Sequence, residues 1–203
     1  MKYLAIDTSG VHLTVAVKNG EKEYVRFIED DKVKHSENLM VITEELLFSA
    51  GLTIKDLDFI ACVVGAGSFT GIRIGVSTVK ALCFAENKPF LAITSFDTIA
   101  YNKGKGKVMA VINAGHGGFY ACGYTDKKVS FSPRFILKEE LVSLLKDYEF
   151  LSGEIIDDLK TEVVSVKEGL IFAVDEKKSE ISRDYDKLAP LYLRKSQAEE
   201  GRP

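Results

Sequence analysis

Residues 65–75, with the sequence GAGSFTGIRIG, indicate the fold of this chain more clearly than any other stretch. They follow an apolar run at 59–64 that has the length and β-branched content of a buried strand, and they lead into a helix-periodic stretch ending near Ala85. Glycines at positions 65, 67 and 71 permit positive φ and a close approach of the backbone to a neighbouring group. The segment therefore predicts a strand, a glycine-rich turn and the start of a helix.

The glycine turn has two interpretations. The free N–H groups at the start of the helix point toward the turn, so an anion such as a phosphate would be stabilised there. The spacing matches neither common phosphate fingerprint, because Gly67 and Gly71 are one residue too far apart for G-x-G-x-x-G and no Gly-Lys-Ser/Thr of a P-loop follows. The alternative is a tight turn that lets strand and helix pack closely, and both interpretations stay open at this stage.

A second polar turn follows the first predicted strand. Hydroxyl and carboxylate groups in Asp7-Thr8-Ser9 could face a phosphate or a metal-bound water. Such residues also commonly satisfy the backbone groups of their own turn. The candidate nucleotide- or phosphate-facing residues come from the two turns together: Asp7, Thr8, Ser9, Gly65, Gly67, Ser68 and Gly71.

The remaining patterns predict an α/β protein with mixed sheets and flanking helices. Residues 1–94 are expected to run βββαβαβ, with strands at 2–7, 11–17, 24–28, 59–64 and 89–94, and with a first helix that Ser36 caps and Gly51 ends. The loop-like NKGKGK at 102–107 marks a boundary between domains 1–101 and 102–203. The second domain is predicted to contain a hairpin of strands 108–113 and 119–125, a helix near 138–146, and otherwise short strands and turns.

Composition limits the classes of function. The chain has 203 residues, of which 46% are hydrophobic, so it can bury one good core or two small ones. A net charge of −3 supplies no basic field for binding nucleic acid unaided. No apolar run of about 18 residues and no signal-peptide pattern is present, which favours a cytoplasmic location without membrane contact. Cys62, Cys83 and Cys122 lie far apart in apolar contexts and are predicted to be buried thiols.

No catalytic or metal-binding cluster is visible among the motifs. His35 stands at the start of the first helix, but the position four residues later is Leu39, and the other histidines, His12 and His116, are distant in sequence. A lone histidine at a helix start more often makes a local hydrogen bond than binds a metal. The prediction is therefore no catalytic residue and no metal site.

Both predicted helices carry a second apolar or small-residue face. At about 100° per residue, Leu39, Ile42, Leu46 and Ala50 form the core face of the first helix, and Ile72, Val76, Val79 and Cys83 form that of the second. The opposite faces suit a helix–helix seam with a charged border. Alternatively, the second lobe or a loop covers them. We call the candidate interface the helix-pair surface, and it consists of Val41, Glu44, Phe48, Ile74, Thr78, Ala81 and Ala85.

Four motifs together resemble the TsaB family, also called YeaZ. They are IDTS at 6–9, HSE at 35–37, GAGSFTGIRIG at 65–75 and PLYLR at 190–194. The resemblance is dense over residues 1–95 and thin beyond them, and it departs at Ala66, where the family usually has proline. It implies the two-lobed actin/sugar-kinase/Hsp70-like (ASKHA) fold with a reduced second lobe. It also implies a pseudoenzyme role in making N6-threonylcarbamoyladenosine, the modified base beside the anticodon of tRNAs that read ANN codons.

The resemblance also implies partners. TsaD, the catalytic paralogue, carries a metal-binding histidine pair on one helix, and that pair is missing here. The chain would then be a scaffold for a TsaD-like subunit, in an assembly with a TsaE-like ATPase and a TsaC-type enzyme that supplies threonylcarbamoyl-adenylate. It would contact tRNA indirectly and form a homodimer when alone. It would require no cofactor, although weak ATP or ADP binding is compatible with the family.

Two other classes of function remain open from the sequence. The chain could be a stand-alone enzyme of the same superfamily, either a small kinase or a metal-dependent glycoprotease-like protein. It could also be a nucleotide-binding module, although no adenine-binding feature is visible in the sequence.

Overall fold

The computed structural model describes residues 1–29, 34–157 and 159–194. Its first five-stranded sheet has the order β3-β2-β1-β4-β5 and consists of β1 Lys2–Asp7, β2 Leu13–Asn19, β3 Lys22–Ile28, β4 Phe59–Val63 and β5 Phe90–Ile93. Strand β2 is antiparallel to β1 and β3, whereas β4 pairs in parallel with β1 and with β5. This is the mixed sheet that the sequence predicts.

The second sheet also has five strands, in the order β10-β9-β6-β7-β8. Its members are β6 Lys107–Gly115, β7 Gly118–Thr125, β8 Lys128–Leu137, β9 Glu149–Ser152 and β10 Glu162–Val163. The helices are α1 His35–Ala50, α2 Phe69–Ala85, α3 Ser95–Ala100, α4 Lys138–Ser143 and α5 Val166–Lys177. Within the described residues, none of these helices is long and apolar enough to cross a membrane. Two mixed sheets flanked by helices confirm the predicted fold class.

Alternation along β1 shows how helices cover both faces of the first sheet. Leu4 and Ile6 belong to the core beneath α1 and α2, whereas Tyr3 and Ala5 belong to the core beneath α5. The strands β1, β3, β4 and β5 run in the same direction, so α1 and α2, which connect them, run parallel to each other. The C-terminal ends of α1 and α2 therefore lie at the same end of the sheet.

The buried carboxylate of Asp97 joins three elements where the two sheets meet. Its Oδ2 accepts hydrogen bonds from the Thr94 backbone N–H and hydroxyl, both at 2.8 Å, and from Lys177 Nζ at 3.1 Å. Its Oδ1 accepts a hydrogen bond from the Tyr124 hydroxyl at 2.9 Å. Asp97 thus completes the capping box of α3 with Thr94 and ties the helix to β7 and to the end of α5. The sequence analysis did not identify this residue.

Several predicted boundaries were wrong. Helix α1 begins at His35 after an extended Lys34 and has no side-chain cap, so the assignment of Ser36 as its N-cap is incorrect. The Lys34 carbonyl accepts hydrogen bonds from the backbone of Glu37 and from the Asn38 side chain, which places the helix start earlier. The sequence analysis also missed α3, which lies before the predicted boundary at residue 101, and it missed α5 and the ten-residue strand β8 after that boundary. The division at residue 101 stays a prediction, and α5 packs back on the first sheet.

A candidate association surface and an acidic cavity

The structure brings the two predicted polar turns into direct contact. Ser68 N donates a hydrogen bond of 2.7 Å to the Ser9 carbonyl, and the Thr8 hydroxyl donates one of 2.7 Å to the Gly71 carbonyl. A Cβ at Gly67 would overlap the Ser9 carbonyl oxygen, and one at Gly71 would overlap the Thr8 carbonyl oxygen. The space in front of the glycine turn is therefore filled by protein backbone.

The glycines of the turn serve two different needs. Gly65 and Gly67 have φ of 112° and 149°, a region that side chains rarely adopt, whereas Gly71 lies within the helix and is needed for close packing. At the start of α2, Ser68 Oγ accepts a hydrogen bond from Gly71 N at 3.2 Å. One of the N–H groups that a phosphate would use is thus bonded within the protein.

A polar network continues from the first turn toward the second sheet. Buried Asp7 accepts hydrogen bonds from Ser9 N at 2.8 Å and Ser9 Oγ at 2.6 Å, and Ser95 Oγ donates to Ser9 Oγ at 2.9 Å. His12 Nε2 lies 3.3 Å from Asp7 Oδ2. Burial disfavours the charged form of both groups, but their mutual interaction outweighs it. The pKa of Asp7 is therefore lowered and the pKa of His12 is raised.

This network forms one wall of a cavity of about 120 Å³ between the two sheets. The opposite wall comes from β6, from the end of β9 and from Val166 at the start of α5. Among the residues that the structure describes, the ionisable groups that line the cavity are Asp7, His12, Glu29 and Glu154, and none is a lysine or arginine. An acidic lining disfavours the phosphates of a nucleotide. Among the described residues, no group of three or more histidine, cysteine or carboxylate side chains could hold a metal ion.

Most of the helix-pair surface is exposed to solvent. Phe48 is 88% exposed and Val41 is 54% exposed, while Ala81 and Ala85 are also exposed. Ile74 and Thr78 are half-buried, and Glu44 is exposed. Within the described part of the chain, neither a loop nor the second sheet covers Phe48 or Val41. The predicted core faces are confirmed, since these residues are buried: Leu39, Ile42, Leu46, Ala50, Ile72, Val76, Val79 and Cys83.

Phe84 extends the exposed apolar area, and the sequence analysis missed it. Its side chain is 77% exposed, near the C-terminal end of α2 and thus at the same end of the sheet as Phe48. It follows Ala81 by three residues, so helical spacing alone places it beside a residue already assigned to the helix-pair surface. Its ring contacts Tyr185 edge-on, with 6.4 Å between centroids.

The cysteines are buried thiols, as predicted. All three cysteines are buried and free, and burial raises the pKa of Cys83 and of Cys122 to about 12. His35 Nε2 lies 3.3 Å from the carbonyl of Val11, 24 residues earlier in the sequence, so this contact links the start of α1 to the turn between β1 and β2 and is not the local hydrogen bond that was expected.

Comparisons with known proteins agree on one family. The family model described as "TsaD: tRNA N6-adenosine threonylcarbamoyltransferase" matches residues 29–133. The TsaB protein of Bacillus subtilis is 35% identical over 102 residues, 50% of this chain and 44% of that protein. The TsaB protein of Buchnera aphidicola (subsp. Schizaphis graminum) is 33% identical over 121 residues, 58% of this chain and 57% of that protein. The chain thus spans about half the length of these curated relatives.

A solved structure shows that the similarity in fold extends over most of the chain. The YeaZ structure from Pseudomonas aeruginosa superposes with a TM-score of 0.76 at 22% identity, covering 95% of this chain and 99% of that one. At this identity, the superposition establishes the shared fold.

Proposed function

Because this chain belongs to the TsaD/TsaB (YeaZ) family, we propose that it is the non-catalytic subunit of a complex that transfers a threonylcarbamoyl group to tRNA. The product would be N6-threonylcarbamoyladenosine beside the anticodon in tRNAs that read ANN codons. In this proposal the chain is a scaffold that binds a TsaD-like catalytic subunit.

The observation that carries the proposal is the exposed helix-pair surface. Large apolar side chains on a monomer's surface mark interaction sites when they cluster, and buried aromatic anchors dominate the energy of such contacts. Here Phe48 and Phe84 are exposed near the C-terminal ends of α1 and α2, and the exposed residues Ala81 and Ala85 of α2 are small enough to let another helix approach closely. Glu44 supplies a charged border beside Phe48.

The shape of this surface suits a related partner. The matched segment, residues 29–133, contains both α1 and α2, so a TsaD-like chain carries an equivalent helix pair. Two similar helix pairs can pack face to face about an approximate two-fold axis. A second copy of this chain would use the same surface, so homodimer and heterodimer would compete.

The surroundings of the histidines and of the glycine turn support a non-catalytic role. The chain contains only three histidines, and Leu39 stands where a second ligand beside His35 would be needed. The side chains of His12 and Asp7 are hydrogen-bonded to each other. We infer that the glycine turn holds no nucleotide phosphate, since Thr8 and Ser9 fill its concave side. ATP handling is then assigned to the TsaE-like ATPase and to the other subunits.

Contacts with tRNA are assigned mainly to the other subunits. The net charge of −3 gives this chain no basic field for phosphates. A cytoplasmic location follows from the proposed substrate, because tRNA is modified where it is used.

Reconstitution with omission of single subunits tests this function. The chain would be combined with the TsaD, TsaE and TsaC counterparts of its own organism, and threonylcarbamoyl transfer to tRNA would be measured. We expect transfer by the complete set, loss when this chain is left out, and none by this chain with TsaC alone. Transfer by this chain without TsaD would contradict the scaffold role, and full transfer without this chain would contradict any role.

A further inference from the structure

Residues 188–194 cross directly over the glycine turn. Leu191 N donates a hydrogen bond of 2.7 Å to the Val64 carbonyl, at the end of the strand that precedes the turn. A Cβ at Gly65 would lie 3.0 Å from the Leu191 carbonyl oxygen. The turn is therefore held by this segment as well as by the Asp7-Thr8-Ser9 turn.

The same segment contacts the first two turns of α2. The Tyr192 ring stacks on Phe69, with 4.8 Å between centroids and 17° between planes. Arg73 Nε donates a hydrogen bond of 2.7 Å to the Tyr192 hydroxyl, and its guanidinium lies 5.5 Å from the Tyr192 centroid. Phe69 is the first residue of α2 and Arg73 lies one turn later, so Tyr192 contacts the helix at two successive levels.

The other side chains of the segment reach the second sheet. The Arg194 guanidinium lies 4.9 Å from the centroid of Phe135 on β8. Leu193 packs against the core between the sheets, and Leu191 packs against both that core and the core beneath α1 and α2. One short segment thus connects α2 with the second sheet.

We propose that residues 188–194 act as a clasp that sets the position of α2 relative to the second sheet and thereby positions the helix-pair surface for its partner. Arg73 and Tyr192 are its positioning residues. The proposal rests on the proposed function for the identity of the partner. The clasp and the helix-pair surface are directly connected along α2, because Ile74 of that surface follows Arg73 in the sequence.

Coupling of this kind is reciprocal. If the clasp improves partner binding, partner binding must stabilise the clasp by the same free energy. Hydrogen exchange at the Leu191 amide, which is bonded to Val64, should therefore slow when the helix-pair surface is occupied. Tyr192 is 41% exposed, so its loss should loosen the clasp locally without unfolding the core.

The experiment compares Tyr192→Ala and Tyr192→Phe with Phe172→Ala, all in the full chain. Phe172 is a matched control, since it is 45% exposed and lies on α5, which packs on the other face of the first sheet. Amide hydrogen exchange would be measured for each segment, together with the dissociation constants of the homodimer and of the complex with the TsaD counterpart.

For Tyr192→Ala we expect exchange over residues 69–74 to rise roughly three- to tenfold, as for the loss of an aromatic pair, and both dissociation constants to rise by a similar factor. Tyr192→Phe keeps the ring stacked on Phe69 but loses the hydroxyl that accepts the hydrogen bond from Arg73. Its exchange over residues 69–74 and its dissociation constants should therefore lie between those of Tyr192→Ala and wild type. Phe172→Ala should match wild type in exchange over 69–74 and in both dissociation constants.

Two outcomes would overturn the clasp. One is wild-type exchange and wild-type association for Tyr192→Ala, and the other is faster exchange in every segment alike, which would indicate only general destabilisation. If Tyr192→Ala does not fold, the comparison of Tyr192→Phe with wild type decides in the same way. Failure of the proposed function is distinct, because then Phe48→Glu would also leave association with the TsaD counterpart unchanged.

Discussion

Ser68 and Ser9 are joined by a backbone hydrogen bond of 2.7 Å that closes the glycine turn onto the turn after β1. The two residues are far apart in sequence, and their contact leaves no room for a Cβ at Gly67 between them. The pair therefore favours packing over phosphate binding as the purpose of the glycine-rich sequence.

The first prediction concerns Gly67→Asp. The substitution adds a side chain at φ 149° and drives it into the Ser9 carbonyl, so we expect the free energy of unfolding to fall by about 3 kcal/mol. Partner binding should fall with it. Denaturant unfolding measures the effect, with Gly20→Asp as control, because Gly20 has a φ of 63° but open space around it. Unchanged stability with loss of nucleotide binding alone would instead indicate a phosphate site.

The second prediction concerns pH and the His12–Asp7 pair. The pKa of His12 is raised above its ordinary value of 6.5 by the Asp7 carboxylate, despite burial. The charged groups that face it are Asp7, Glu29 and Glu154. The stabilisation by His12 is therefore complete below pH 6.5 and is lost as the pH rises through the pKa of the folded state.

We expect that His12→Gln no longer shows the loss of stability that the wild-type protein shows as the pH rises above 6.5. Asp7 affects stability at acidic pH. Because its pKa is lowered in the folded protein, the stabilisation that it provides is lost as the pH falls through that folded-state pKa. Urea unfolding of wild type and His12→Gln between pH 5 and 9 measures the difference. Parallel stability curves for the two proteins over that range would disprove a role for His12.

The third prediction concerns Asp97→Ala. The substitution leaves the partly buried ammonium of Lys177 and the buried hydroxyl of Tyr124 without their carboxylate, so we expect a loss of about 3 kcal/mol in unfolding free energy. Asp184→Ala removes an exposed ion pair with Lys187 and should cost less than about 1 kcal/mol. Similar losses for both variants would mean that the Asp97 network contributes little.

The fourth prediction concerns metal. Since Leu39 stands where a ligand beside His35 would be needed, we expect no stoichiometric zinc or iron in the purified protein. His35→Ala should leave threonylcarbamoyl transfer by the reconstituted complex nearly intact. Elemental analysis checks the first point, and one tightly held transition metal per chain would refute it.

The parts of the fold that the sequence predicts are those with strong local signals. The run at 59–64, the glycines and the 3.6-residue period located β4 and α2 within a few residues. Helix α5 was missed because Gly169 interrupts its pattern. A Cβ at that position would overlap the Thr98 carbonyl on α3, so tertiary packing requires a residue that weakens the local helical signal.

For the candidate site, the sequence predicted individual residues but not how they are arranged in space. The sequence singled out Asp7 and Gly67, but it could not show that their turns face each other, because the contact depends on the parallel pairing of β1 with β4. It also could not show that the Tyr192 segment covers the glycine turn. The exposure of Phe48 followed from helical period alone, and the same spacing could have added Phe84.

The helix-pair surface is the central claim of this account. Phe48→Glu should leave the circular dichroism spectrum unchanged, because the side chain is 88% exposed. Ala81→Trp tests the same surface by bulk instead of charge. Phe172→Glu is the control, since it places the same charge on a partly exposed aromatic position of α5.

The most direct measurement is the dissociation constant of Phe48→Glu with the TsaD counterpart, by sedimentation equilibrium. We predict weakening by a factor of about 30 or more, as for loss of a buried aromatic anchor worth about 2 kcal/mol, with wild-type affinity for Phe172→Glu. Threonylcarbamoyl transfer to tRNA should fall in parallel. Wild-type affinity and wild-type transfer by Phe48→Glu would contradict the account.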